Sequence, residues 1–276
     1  MVAKDRFTEE LQKPFALRQE EIESFAEEGF VKLRNVFSAD LLEHYREHIS
    51  RKVAELSADA LPMEQRSTYG KAFLQIMNLW TSSEEVREFV FAPRLARIAT
   101  ELMGSRGVRI YHDQALYKEP RGGITPWHAD QYYWPVSSDG MVTAWVPLQD
   151  TPLEMGPLAF CEKSHRFQVG RDLEISDKSE VTLKEALSHF RQDESPYALG
   201  DVSFHSGWTF HRAGANSTDK PREVMTMIYM DQDIRLVAPK NKNQVADIER
   251  WCPSVQVGEV VASSLNPLVY SRAEEV

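Results

Sequence analysis

The tetrapeptide Trp127-His128-Ala129-Asp130 carries two residue types that bind divalent metals. In an extended strand, residues two apart project from the same face, so an imidazole and a carboxylate aim at one point. A His-x-Asp pair arises often by chance, and half a coordination sphere needs a third ligand. The stretch Gly200 to His211 supplies two candidates, His205 and His211. Downstream lies Gly214-Ala215-Asn216-Ser217-Thr218-Asp219-Lys220-Pro221, a strong turn-forming segment. A hairpin pivoting near Asn216–Ser217 pairs His211 with Arg222, and directly paired residues point to the same side of a sheet. The expectation is therefore a site of His128, Asp130 and His211 sharing its pocket with a guanidinium.

Two histidines and one carboxylate on one side of an ion form the facial triad of non-haem Fe(II) oxygenases, which leaves coordination positions open. A 2-oxoacid chelates two of them and O2 takes the third. The far carboxylate of such a cosubstrate needs a permanent, bidentate cation, which Arg222 provides. Iron beside arginine thus points to 2-oxoglutarate. Three rivals share the metal set. A cupin-type oxygenase or isomerase without cosubstrate leaves Arg222 no task, and a zinc hydrolase lacks an evident general base. A non-enzymatic binding protein on the same scaffold is the third, because fold does not fix function.

These residues must be held by strands. From about Val108 the chain breaks into short β-rich runs with Gly/Pro/Asn/Asp punctuation: Val108–Tyr117, Met141–Leu148, Leu158–Phe160, Val202–Phe204, Thr209–Ala213 and Glu223–Met230. Several short antiparallel strands predict a sandwich or jelly roll. The first third is helical instead. Ile22, Phe25, Ala26 and Phe30 recur at three- and four-residue steps, and Gly29 offers a stop signal. Ser38 predicts the N-cap of a helix burying Leu42, Tyr45, Ile49, Val53 and Leu56. Pro93 and Gly104 bracket another. A polar stretch at about 166–196, with one helix over Thr182–Phe190, is expected as an insertion covering the site. A last helix is expected at Asn243–Trp251. The expected organisation is one domain: a mainly helical part at 1–106, a jelly-roll core at 107–235 and a C-terminal extension at 236–276.

Other polar and aromatic residues divide by the same logic. His112 and His205 are expected on strands as core histidines, and His44 and His48 as exposed helix residues. Of the aromatic residues crowding the motif, Tyr132 would share a face with Asp130 if the strand continued. Tyr132, Trp134 and Trp208 are candidate substrate contacts.

Composition narrows the partners. Across 276 residues the net charge is −10 and basic residues are scattered, which argues against a nucleic-acid backbone as the main partner. No apolar run approaches the roughly 20 residues needed to cross a bilayer, and Met1-Val2-Ala3-Lys4-Asp5-Arg6 lacks the apolar core of a secretory signal. Two separated cysteines, Cys161 and Cys252, fit a reducing compartment. A cytoplasmic monomer or homodimer acting on a small molecule is expected.

The chain also resembles the phytanoyl-CoA dioxygenase family of Fe(II)/2-oxoglutarate oxygenases. The resemblance runs from about Glu20 to Met230 and is densest in Leu116-Tyr117-Lys118-Glu119-Pro120, Trp127 to Trp134, Ala144-Trp145-Val146-Pro147-Leu148 and Gly200 to Arg222. It implies a double-stranded β-helix core, mainly β with flanking helices, with iron on His128, Asp130 and His211 and the far carboxylate of 2-oxoglutarate on Arg222. It further implies that Gln114 and Trp145 border the cosubstrate. Related halogenases replace the carboxylate ligand by a small residue, so Asp130 favours hydroxylation, desaturation or ring closure. One departure stands out. Family members frequently carry a hydroxyl residue two positions after the distal histidine, where this chain has Ala213; Thr143 and Thr209 are the expected replacements.

Overall fold

Capping residues delimit the helices of the N-terminal part. The structure, a computed structural model, describes residues 2–58, 61, 65, 66 and 68–272. After helix α1 (Val2–Gln12), helix α2 (Gln19–Glu28) stops at Gly29, whose φ of 86° carries no Cβ penalty, and strand β1 (Phe30–Leu33) follows at once. Helix α3 (Ala39–Leu56) starts at Ser38, whose hydroxyl accepts from the Leu41 amide at 3.3 Å. Its buried stripe is Leu41, Leu42, Tyr45, Ile49 and Val53. Leu56, expected in that stripe, is 47% exposed, because the last turn of the helix extends past the core. Short helices α4 (Thr68–Ala72) and α5 (Glu84–Val90) flank strand β2 (Leu74–Met77). Helix α6 (Pro93–Met103) opens on proline and ends at Gly104 in the left-handed conformation, as its bracketing residues predict. His44 and His48 are half-buried rather than exposed: His44 stacks on Phe7 at 4.9 Å.

The remaining strands are β3 (Gly107–Lys118), β4 (Thr125–His128), β5 (Met141–Pro147), β6 (Leu158–Cys161), β7 (Gln192–Asp193), β8 (Val202–Ser206), β9 (His211–Ala213), β10 (Arg222–Asp231) and β11 (Leu268–Ser271). They form two antiparallel sheets. The larger runs β1-β8-β5-β10-β3-β11 with β2 also on β3, and the smaller runs β4-β9-β6-β7. Together they build the expected jelly-roll core with helices outside it. Alternation assigns the faces of β10: Met225, Met227 and Tyr229 join the apolar cluster under the helices, while Arg222 and Thr226 line a cavity on the opposite side. Phe89 is fully buried in that cluster, 5.1 Å from Tyr45 and 5.7 Å from Phe37, ring to ring. Phe89→Ala is expected to cost about 3–5 kcal/mol in denaturant unfolding; a loss below about 1 kcal/mol would contradict this packing.

The expected hairpin between His211 and Arg222 does not form. Strand β9 pairs with β4 and β6 in the small sheet, and β10 pairs with β3 and β5 in the large one, where Arg222 lies opposite Lys118. The turn-rich segment 214–221 is a crossover between sheets. Its centre is fixed by fully buried Asn216, whose amide donates to the carbonyls of Lys118, Glu119 and Lys220 at 3.1, 3.2 and 2.7 Å. Its entry passes close against Gly156, where a Cβ would lie 2.2 Å from the Gly214 oxygen.

The polar insertion carries helix α7 (Asp177–Ala186), about five residues before the expected Thr182–Phe190. A capping box explains the shift, with Ser176 and Ser179 exchanging side-chain and backbone hydrogen bonds at 3.1 and 2.9 Å. Helix α8 (Lys242–Trp251) starts within a residue of its expected position, capped by Asn241. Among the described residues no helix is long and apolar enough to cross a membrane.

Candidate metal centre

His128 and His211 are opposed across β4 and β9, so their rings share a face, with centroids 4.2 Å apart. β4 ends at His128, but Ala129 keeps an extended conformation (φ −124°, ψ 129°), which swings Asp130 onto the same side. Asp130 Oδ1 lies 3.5 Å from Nε2 of His128 and 3.8 Å from Nε2 of His211. One ligand atom from each residue lies within 4.8 Å of the other two.

Each ring is oriented from behind. Nδ1 of His128 is 2.7 Å from the Pro126 carbonyl, and Nδ1 of His211 is 2.9 Å from that of Thr209. A carbonyl can only accept, so Nδ1 carries the proton and Nε2 keeps its lone pair. Burial, and the neighbouring imidazoles His128 and His205, hold His211 well below the usual histidine range. Two imidazoles that present Nε2 beside a carboxylate make the donor set that Fe(II) takes.

His205, expected as a satisfied core residue, belongs to this site. Its Nε2 lies 3.3 Å from Asp130 Oδ2, and Thr143 Oγ1 donates to the same oxygen at 3.2 Å. Oδ2 is thereby engaged, and Oδ1 is left facing the two Nε2 atoms. The signal was in the alternation: Thr143 and Trp145 share a face of β5, and His205 is the register partner of Thr143. His205→Ala is expected to weaken iron retention against a chelator about 10–100-fold; unchanged retention would contradict this orienting contact.

The cavity, of about 440 Å³, lies between the sheets and reaches from the triad to Arg222. The large sheet contributes Gln114, Thr143, Trp145, His205, Arg222 and Thr226, and the small one Thr125, His128, Leu158, His211 and Ala213. Arg222 is 1% exposed; its Nη1 donates to the Gly156 carbonyl, its Nε has no partner, and no described carboxylate pairs with it. Burial pushes it down to about 10, which still leaves a cation at neutral pH. The amine of Lys118 beside it is pushed by burial, and then by Arg222 itself, down to about 6. Arg222 is therefore the charge left there to receive an anion.

Trp145 packs 5.4 Å from the guanidinium, ring centroid to Cζ, and its Nε1 also lacks a partner. Buried donors left unpaired each cost about 1–3 kcal/mol, so this end of the cavity suits a carboxylate. Gln114 accepts from the Gln75 amide at 2.7 Å at the cavity edge. Both expected hydroxyl replacements are committed elsewhere, Thr143 to Asp130 and Thr209 to the Gly29 carbonyl at 2.7 Å.

Among the aromatic candidates, Trp134 lines the cavity. Tyr132 does not, because Asp130–Tyr133 form a 3-10 turn rather than more strand, and its hydroxyl accepts from Asn243 at 3.3 Å. Trp208 also lies outside it, with Nε1 donating to Asp139 at 2.9 Å and Arg171 over its ring at 4.3 Å. Away from the triad the cavity continues past His112 to Glu174 and Ile175 of the insertion and to Asn243, Asp247 and Trp251 of α8. Sequence reasoning did not place α8 at the site; only the tertiary contact does.

Comparison with known proteins agrees with this geometry. Residues 25–224 match the family model for phytanoyl-CoA dioxygenase (PhyH). A probable alpha-ketoglutarate-dependent hypophosphite dioxygenase of Stutzerimonas stutzeri is 23% identical over 234 residues, covering 79% of each chain. The ectoine dioxygenase of Stutzerimonas stutzeri strain A1501 is 24% identical over 239 residues, covering 79% of this chain and 78% of its own. The non-heme alpha ketoglutarate dependent carbocyclase SnoK from nogalamycin biosynthesis superposes with a TM-score of 0.75 at 25% identity, over 94% of this chain and all of its own. The epimerase SnoN, solved with Fe3+, alpha ketoglutarate and nogalamycin RO, gives 0.74 at 25% identity, over 91% and 98%. With a His-Asp-His cluster beside a buried arginine that no described carboxylate pairs with, the chain belongs to the phytanoyl-CoA dioxygenase family and is a non-haem iron, 2-oxoglutarate-dependent dioxygenase.

Proposed function

We propose that the protein hydroxylates a C–H bond of a small organic molecule, with 2-oxoglutarate converted to succinate and CO2. The observation that carries this reading is the single cavity that joins the His128, Asp130 and His211 cluster to the buried Arg222 and then continues into a further chamber. In this reading His128 and His211 bind iron through Nε2 and Asp130 through Oδ1. Arg222 receives the far carboxylate of 2-oxoglutarate, with Trp145 and Gln114 bordering it. Iron held there supplies the dioxygen chemistry that oxidises both cosubstrate and substrate. The surrounding residues orient the target carbon and exclude water. His112, Trp134 and Trp251 wall the chamber beyond, which suits a ring-bearing molecule such as a natural-product skeleton.

A second outcome has a specific observation in its favour. SnoK is named a carbocyclase and SnoN an epimerase, and ring closure or epimerisation starts from the same hydrogen removal without delivering a hydroxyl group. Anaerobic protein loaded with Fe(II) should develop a visible charge-transfer band on adding 2-oxoglutarate. After O2 is admitted with candidate substrates, succinate should form, and the product mass separates the outcomes. Hydroxylation adds one oxygen atom, ring closure removes two hydrogens, and epimerisation, which needs an added two-electron reductant to balance the consumption of O2, leaves the mass unchanged. Neither band nor succinate with any substrate would overturn the reading.

A further inference from the structure

At the end of the cavity away from the metal, one carboxylate stands without a counter-charge. Asp247 lies on α8 and lines the chamber together with His112 and Trp251. Tyr111, fully buried and not part of the cavity wall, donates its hydroxyl hydrogen to Oδ2. That contact brings no charge, since burial, and Asp247 itself, hold the phenol well above its usual range. Among the described residues no cation stands within ion-pair distance of Asp247; Arg250, three residues on and exposed, attracts it from farther off. Burial accordingly raises the carboxyl to about 7. A residue that merely closed the chamber would do so better if it were apolar, because a desolvated charge without a partner is costly.

The neighbours favour one class of occupant. Glu174, the other carboxylate at this end, is already answered by Asn243 at 3.0 Å and by Lys242 at 3.6 Å. His112 is 2% exposed and its Nδ1 has no hydrogen-bond partner. Burial pushes it down to about 3, so the imidazole is neutral and offers Asp247 no positive charge. Its ring stands 5.3 Å from that of Trp251, and Tyr133 and Trp134 line the same chamber. Aromatic faces attract cations through the ring quadrupole, more strongly where water is excluded. A hydroxyl group would hydrogen-bond to Asp247 and leave its charge unmatched, while an acidic group would add a second charge of the same sign. An ammonium group satisfies both the carboxylate and the rings.

We propose that the chamber takes a substrate bearing a protonated amine, which Asp247 receives while the metal end addresses a carbon elsewhere in the molecule. This deepens the oxygenase reading and rests on it, because it takes the chamber beyond His112 as the seat of the substrate. Three probes of similar shape separate the charges: phenethylamine, neutral phenethyl alcohol and anionic phenylacetate. Each is titrated calorimetrically into protein holding Mn(II) and 2-oxoglutarate at about pH 8, where Asp247 is ionised and an alkyl amine is still protonated. Phenethylamine should bind at least about tenfold more tightly than the alcohol, and phenylacetate more weakly than either. Asp247→Asn keeps the shape and removes the charge, and it should bring the amine within about twofold of the alcohol. Tyr111→Phe removes the hydrogen bond and keeps the carboxylate, and it should retain the preference for the amine.

Equal affinities for amine and alcohol in the unmodified protein, or no binding of the amine, would overturn the ammonium site even if Asp247→Asn folds poorly. A preference that survives Asp247→Asn undiminished would also overturn it. So would its complete loss in Tyr111→Phe, because the effect would then follow packing and not charge. A protein that prefers the amine through Asp247, yet shows no charge-transfer band with Fe(II) and 2-oxoglutarate and forms no succinate, would keep the ammonium site and lose the oxygenase reading beneath it.

Discussion

His211→Ala is expected to abolish iron-dependent turnover. The ring is 4% exposed and opposed in register to His128, and removing it leaves one imidazole and one carboxylate, too few to hold three positions on one side of an ion. Losing about 4 kcal/mol of metal binding corresponds to about a thousandfold in affinity. His205 is no substitute although its ring is 4.4 Å away, because its Nε2 is turned to Asp130 Oδ2. The vacated volume adjoins the cavity, so water can enter and the fold should persist. Metal content after dialysis, succinate formation and the melting temperature separate these effects. Stoichiometric iron with turnover within tenfold of the unmodified protein would rule His211 out as a ligand.

Arg222→Leu has the second largest expected effect, and its signs are opposite for binding and stability. Truncating one partner of a buried, hydrogen-bonded charge pair costs about 2–5 kcal/mol, so the 2-oxoglutarate requirement should rise about 30- to 4,000-fold. The maximal rate should change far less, since the lost contact holds ground state and transition state alike. Without cosubstrate, however, Arg222 is a desolvated cation with no carboxylate partner among the described residues. Replacing it with an apolar side chain should therefore raise the melting temperature of the ligand-free protein. An unchanged cosubstrate requirement would remove Arg222 from the pocket's chemistry.

How much of this was legible in the sequence depended on whether the signal was local. Gly29, Ser38, Pro93 and Gly104 each act on the backbone within one turn, and the helices they bound fall where those residues predict. The segment 214–221 has equally strong turn chemistry, yet such chemistry says only that the chain reverses, not which sheet it enters. The inference that His211 and Arg222 share a pocket reached a correct neighbourhood by an incorrect pairing: the two residues meet because the sheets face one another, not because they are neighbours in one ladder. His205 was lost for a related reason. Its role follows from its register with Thr143, a non-local fact. Alpha-helix α8 lies more than a hundred residues from His128 in sequence, and nothing in its own pattern announces that Asp247 and Trp251 face the cavity.

The division of the site between sheets has a mechanical meaning. His128 and His211 stand on β4 and β9 of the small sheet, and Arg222 and Trp145 on β10 and β5 of the large one. A molecule gripped at one end through the metal and at the other by Arg222 is a rivet driven through both layers. Prising the layers apart would first require its release, so its binding free energy adds directly to the work of unfolding. The protein should accordingly act as its own gauge of occupancy, with the heat needed to melt it climbing with cosubstrate concentration.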